Sequence, residues 1–188
     1  MAENKIVFGL KNANYAVITE GVDGTFTYGT PVPLKGATSL TLEPKGEQTN
    51  FYADDLLYYT ASTNSGYEGT LSLASLTEAF RKDVLGEILV ATDNVLSESA
   101  NAKPKSIALL FEFDGDQKAV RHQLLNVSVS RPGLSGSTKT ESAEPTTSEL
   151  KFVAAPRPED ALVKRSTTAT TTAAVYDAWY SAVYEPTV

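Results

Sequence analysis

Apolar and polar residues alternate with a period of two over much of the chain, the pattern of half-buried strands. Ile6 to Thr19 holds two such runs, with Tyr15, Val17 and Thr19 on one face and Ala16 and Ile18 on the other. Gly21-Val22-Asp23-Gly24 is turn chemistry and Thr25 to Tyr28 alternates again, so the segment predicts a hairpin. Pro31 and Pro33 interrupt pairing and mark an edge or a connection. Thr38 to Glu43 sets Leu40 and Leu42 inward and Ser39, Thr41 and Glu43 outward; Gly69 to Ala74 repeats this with Leu71 and Leu73 against Ser72. Ser106 to Phe113 is a strong strand with Ile107, Leu109, Phe111 and Phe113 on one face. Asp114-Gly115-Asp116 turns the chain, and Lys118 to Ser130 returns with Leu125, Val127 and Val129 in phase. Ser148 to Ala154 places Leu150 and Phe152 inward before Pro156 and Pro158 end it. Glu87 to Ala91 is apolar but its type stays open, and Thr92 to Pro104 reads as loop. Arg131 to Thr147, rich in Ser, Thr, Gly, Pro and Glu, predicts a long mobile loop, and Ser166 to Thr172 a small-residue connector.

Helical spacing occurs twice. Ser75 and Glu78 form a capping box, Leu76, Phe80 and Val84 make an apolar stripe, and Gly86 suits a left-handed stop. Arg81 and Lys82 lie toward the negative end of the dipole. A helix of about three turns is marginal alone, so it must dock on a sheet. Ala173 to Tyr184 predicts a second helix, with Val175, Trp179 and Val183 on one stripe and Tyr176, Tyr180 and Tyr184 on the next; Pro186 ends it. Trp179, with Tyr180 beside it, is expected to dock this segment. The fold class is therefore mainly β: an antiparallel sandwich or barrel-like sheet, one short flanking helix and a C-terminal helix, in a single domain over residues 1–188.

Residues 46–66 are organised differently. Phe51, Tyr52, Tyr58 and Tyr59 crowd a segment bounded by Gly46 and Gly66, with Asp54-Asp55 inside it, a polar stretch from Ser62, and Tyr67 just beyond. Such a segment is either a hairpin buried in the subunit's own core or an arm that contacts another subunit, since aromatics favour buried interface centres.

Composition narrows the function. At 188 residues and 41% hydrophobic the chain can bury a sizeable core. With no cysteine there is no disulfide, zinc–thiolate site or cysteine nucleophile. The N-terminus MAENKIVFGL lacks the charged and apolar regions of a signal peptide, and no apolar run reaches membrane-spanning length, so synthesis and folding in a cytoplasm are expected. A net charge of −7 with scattered bases argues against a protein that grips nucleic acid.

No residue set commits to catalysis. The single histidine, His122, lies in phase with Val120 and Leu124 and reads as structural, without a nucleophile and orienting acid beside it. Asp54 and Asp55 are adjacent and so diverge, which suits a polar corner or an interface better than a metal or general acid. Asp114-Gly115-Asp116 lacks the later ligands of a calcium loop. Asn126-Val127-Ser128 matches a glycosylation sequon by chance in a chain without a secretory signal. Neither a phosphate-binding loop, a nucleophile elbow nor a zinc-protease motif is present, and no cofactor is expected.

KIVFGLKNANYAVITE near the N-terminus, FYADD in the arm, NSGYEGTL, FRKDVLG and the closing VYDAWYSAVYEP, in this order, resemble the major tail (tail tube) proteins of long-tailed, non-contractile bacteriophages of Gram-positive hosts. The resemblance spans Lys5 to Pro186 and carries no catalytic motif. It implies a β-sandwich-like or barrel-like core with a flanking helix. It implies hexameric rings stacked into a tube in the virion tail, built around a tape measure protein and joined to tail terminator and distal tail proteins, with DNA passing through unbound. On that reading Phe51, Tyr52, Asp54, Asp55, Tyr58, Tyr59 and Tyr67 form an intersubunit arm, and Ser39, Thr41, Glu43 and Ser72 face the lumen. An acidic lumen would repel DNA and keep it from sticking. Two other classes fit the composition: a carbohydrate-binding β-sandwich stacking sugars on Tyr52, Tyr58, Tyr59 and Tyr67, and a small hydrolase with paired carboxylates, for which the sequence shows no converging pair.

Overall fold

The computed structural model describes residues 3–136, 138 and 146–186; much of the loop expected over 131–147 therefore lies outside the described residues. In chain order the strands are β1 (Val7–Glu20), β2 (Phe26–Tyr28), β3 (Val32–Pro33), β4 (Ala37–Pro44), β5 (Gln48–Ala53), β6 (Leu56–Ser62) and β7 (Tyr67–Leu73). Helix α1 (Glu78–Asp83) follows, then β8 (Ile88–Val90), β9 (Val95–Ser97), β10 (Ile107–Gly115), β11 (Val120–Val129), β12 (Ser148–Ala154), β13 (Lys164–Ser166) and helix α2 (Ala173–Ala178).

Nine strands form one antiparallel sheet in the order β2-β1-β10-β11-β12-β7-β4, with β3 beside β1 and β13 beside β11. The sheet curls without closing into a barrel. Residues 32–44 pair with β1 at their start, as β3, and with β7 further on, as β4, so one segment spans the gap between the two ends of the sheet. The concave face holds the main core: Tyr15, Leu71, Leu73, Leu109, Phe111, Leu124, Val127, Leu150 and Phe152, closed at one end by Phe80, Val84 and Leu85 of the α1 segment. The fold is β-sandwich-like, as expected.

Bulges decide which residues reach this core. In β1, Gly9 and Asn12 have positive φ (64° and 49°) where the register against β10 slips, so one long strand appears in the sequence as two runs. The second slip restores phase so that Ala13 and Tyr15 face inward. In β11, Leu109 faces Leu124 but Ile107 faces Val127, an extra residue that reverses the side-chain direction. Leu124 and Val127 point into the core, and Leu125 points to the other face, so the expected phase of Leu125 with Val127 and Val129 is corrected by this bulge.

Three further readings change. The cap of α1 is Thr77, whose Oγ1 accepts from the Phe80 N–H at 3.3 Å, and the helix is shorter than three turns; the Ser75–Glu78 box does not form because Glu78 is the first helical residue. The edge of the Phe80 ring meets Tyr15, whose hydroxyl donates to Asp83 at 3.0 Å, so α1 is tied to β1. The stretch from Ile88 to Ser97 is a small hairpin, β8–β9, which gives the apolar Glu87–Ala91 its type and replaces the start of the loop expected from Thr92. The C-terminal helix ends at Ala178, and the chain continues irregularly past Trp179.

Candidate functional site

The polar groups that could have carried chemistry are structural in place. His122 stacks on Phe111 with centroids 5.2 Å apart and shares a 2.7 Å hydrogen bond between Nδ1 and the Ser166 hydroxyl, which fastens β13 to β11. Burial, then the Lys164 charge, lowers its pKa from 6.5 to about 4. Asp54 and Asp55 are the two central residues of the β5–β6 turn, with φ of 52° and 59°, the type I′ geometry that matches strand twist. Asp116 accepts from the Lys5 N–H, binding the N-terminal segment to the β10–β11 turn. Among the described residues no group of His, Asp and Glu is placed to hold a metal ion, and no helix is long and apolar enough to cross a membrane.

The arm is the continuation of the β4–β7 hairpin beyond the sheet. Past Pro44 and Tyr67 the ribbon narrows, held by Lys45 N–H to Gly66 O and Ser65 N–H to Lys45 O, and then opens into β5–β6. Glycine is required at both sides of this neck. A Cβ on Gly46 would collide with the Thr63 carbonyl oxygen, and one on Gly66 (φ 100°) with that of Ala154. The ribbon does not fold back on the core. Phe51, Tyr52, Leu56, Leu57, Tyr58 and Tyr59 are 53–75% exposed, so within one subunit the buried-hairpin reading is corrected. Tyr58 is the extra residue of a bulge between Phe51↔Tyr59 and Tyr52↔Leu57, and its ring meets Phe51 edge-on at 6.5 Å. Leu56 and Leu57 were not singled out from the sequence, although they flank the same turn. Tyr67 lies apart from these: it sits at the neck, half-buried against the core, with Lys164 Nζ 4.9 Å from its ring centre. The four tyrosines proposed as a sugar platform therefore do not share one surface.

The convex side of the sheet is divided. Over β1, β10 and the first half of β11 it is covered by the C-terminal segment: Trp179 (2% exposed) and Val183 pack on Ala16, Ala108, Leu110 and Leu125. Tyr180 donates to Glu112 Oε2 at 3.1 Å, and burial, then the Glu112 charge, pushes its pKa upward. Glu112 also pairs with Arg121 at 3.0 Å, and the Arg121 guanidinium lies over the Tyr176 ring. The Gln123 side chain brackets Tyr184, donating to its carbonyl at 2.8 Å and accepting from its N–H at 3.1 Å. Arg157, 5% exposed, joins Asp160 (2.5 Å), Glu185 (2.6 Å) and the Tyr28 hydroxyl (3.3 Å). That guanidinium holds the Asp160 carboxyl down to about 2.

Over β4, β7 and β12 the same side is bare and polar. The register aligns Ser39, Ser72 and Glu149 in one row, Thr41, Thr70 and Lys151 in the next, and Glu43, Glu68 and Val153 in the third. The four residues expected to face a lumen, Ser39, Thr41, Glu43 and Ser72, thus lie together, and the register adds Glu68, Thr70, Glu149 and Lys151, which alternation in β7 and β12 could have revealed. Glu43, Glu68 and Glu149 stand against Lys151 and against Lys45, which reaches Glu68 at 3.8 Å, so the surface is only slightly acidic.

Among the described residues the chain is a curled antiparallel sheet with one bare polar wall and a protruding apolar ribbon. The comparison with protein families identifies the class: the family model for phage tail tube proteins matches residues 2–121, and the chain belongs to that family. It is a structural component of a phage tail, which as a tube-forming protein assembles with itself. A search of curated proteins gave no match.

Proposed function

We propose that this chain forms rings, six subunits each, that stack into the tube of a long non-contractile tail, with the β4–β7–β12 wall turned to the lumen and the β5–β6 arm seated on a neighbouring subunit. The observation that carries the reading is the arm: six large apolar side chains held in water by a defined hairpin. Taking roughly 150–250 Å² for a whole large side chain, their exposed part comes to on the order of 700 Å². That approaches the ~800 Å² per partner of a standard specific interface. The C-terminal cover supports the choice of lumen wall, since it closes the other half of the convex side. A slightly acidic wall lets DNA slide past because each exposed base would add a salt-dependent attraction. A tape measure protein inside the growing tube, and terminator and distal tail proteins at its ends, complete the proposed assembly.

Electron microscopy of the purified protein tests this. Wild-type protein should give rings or tubes, and Tyr58→Ser with Tyr59→Ser should give folded subunits, by circular dichroism, that fail to assemble. Normal tubes from the double variant would remove the arm from the interface; a wild-type protein that stays monomeric at every concentration would reject the tube itself.

A further inference from the structure

The arm needs a receiving surface, and the fold places a second apolar projection at the other end of the same ribbon. Tyr67, at the start of β7, adjoins the arm; Leu73, at its end, leads into α1 and the β8–β9 hairpin. Seven residues of strand separate the two by about 20 Å. On β8–β9, Ile88, Val90 and Val95 are exposed, and Leu134 stands almost wholly in solvent nearby. Beside α1 lies a pocket of about 160 Å³ whose walls include Leu76, Leu85, Pro132 and Leu134. An enclosed apolar cavity of about 150 Å³ holds a benzene ring; this open pocket, lined also by Ser75, Glu87, Glu98 and Ser148, has room of that size for one aromatic side chain with a polar group. Arg81, paired with Glu87, and Arg131, paired with Glu98, line it with partly exposed guanidinium groups that suit the face of a tyrosine.

Charge adds to this, with Asp93, an acid at the β8–β9 tip, set against it. Residues 46–66 carry Glu47, Asp54 and Asp55 and no base. Lys103 and Lys105, in the segment leading from β9 to β10, are exposed, and among the described residues neither lies within 4 Å of a carboxylate.

We infer that the α1 and β8–β9 end is the receptor for the arm of a second copy of this chain, with an arm tyrosine in the pocket and β8–β9 against the arm's leucines. This rests on the arm being an interface and adds which surface it meets. Two different patches at opposite ends of one chain make a heterologous contact, which propagates instead of closing as a dimer. That is the symmetry stacking requires.

Engineered cross-links decide it, because the chain has no cysteine of its own. Tyr58→Cys combined with Val95→Cys, oxidised under conditions where wild-type protein forms tubes, should give a ladder of covalent multimers. Either single variant should give at most dimers. Thr60→Cys with Val95→Cys covers the event that Tyr58→Cys itself blocks assembly. In parallel, Ile88→Asp with Val95→Asp should raise the concentration needed for tubes about tenfold or more while leaving the melting curve unchanged. No ladder from either cysteine pair in assembled tubes, or normal assembly of the aspartate variant, overturns the receptor assignment. If the Tyr58→Ser, Tyr59→Ser variant also assembles normally, the arm reading itself has failed; if that variant alone is defective, the arm is an interface and its receptor lies elsewhere.

Discussion

Trp179→Ala measures how firmly the C-terminal segment holds the outer face of the sheet. Emptying a buried aromatic site costs about 3–5 kcal/mol. At Trp179 part of this is offset, because its buried Nε1–H meets no acceptor among the described residues. An unpaired buried donor carries a standing penalty of about 1–3 kcal/mol, which alanine removes. The net loss is therefore about 2–3 kcal/mol, below the usual range for such a truncation. Trp179→Phe removes the same unpaired donor yet keeps a ring against Leu110 and Leu125, and should cost about 1 kcal/mol or less. For a chain of this size 1 kcal/mol shifts Tm by about 2–4 °C. The alanine variant should then melt about 5–10 °C below wild type and the phenylalanine variant no more than about 4 °C below. Far-UV circular dichroism on unassembled protein is the suitable readout, since Trp179 is the only tryptophan and its fluorescence disappears in both variants. An alanine variant that melts with wild type would show that the segment is not fixed to the sheet. A phenylalanine variant that falls as far as alanine would show that the retained ring packs no better than a methyl group, since both changes remove the same N–H.

Three other expectations follow from the same geometry. His122 has a folded pKa near 4 against 6.5 unfolded, so its contribution is complete above about pH 6.5 and declines as pH falls toward 4, by about 1–2 kcal/mol once solvent screening is allowed for; urea midpoints at pH 7 and 4.5 should show the loss, and His122→Gln should flatten it. Arg157→Ala strands Asp160 at the foot of the C-terminal segment and leaves Glu185 with Arg165 alone; it should cost about 2–3 kcal/mol, less than a fully buried pair because both carboxylates keep some solvent contact, and a urea melt no different from wild type would refute it. Thr41→Lys with Glu43→Lys places two bases on the bare wall; folding should be unchanged and genome release from assembled particles slowed, most at low salt, whereas wild-type release across a salt series would reject this wall as the lumen.

The strands were legible wherever alternation ran uninterrupted. β4, β7 and β12 each bury one face and wet the other, so Leu40, Leu42, Leu71, Leu73, Leu150 and Phe152 declared themselves. The reading broke where the backbone adds a residue or both faces are covered. Leu125 looked in phase with Val127 because a bulge leaves no mark in composition, and Ala108 and Leu110 looked like outward positions because their cover, Trp179, lies about 70 residues away. β8 and β13 have three residues each, too few for a period to show; β8 is held by the equally short β9 beside it, and β13 by β11, about 40 residues earlier. For the candidate surfaces, the aromatic arm and the polar rows were visible as residue types. Their exposure and alignment were not, because these depend on which hairpin leaves the sheet and on the register between strands distant in sequence.

The cover over the outer face also sets an order of events during synthesis. Ala108, Leu110 and Leu125 are made first, and Trp179 and Val183 follow only after about 50 further residues. At roughly 5–20 residues per second, the nascent sheet exposes an apolar strip for roughly 3 to 10 seconds before its own chain can shield it. Through that interval the strip is open to any chaperone or neighbouring chain on the same message. A chain cut short before Trp179 would keep it open for good and so be marked for capture before it could join a tail.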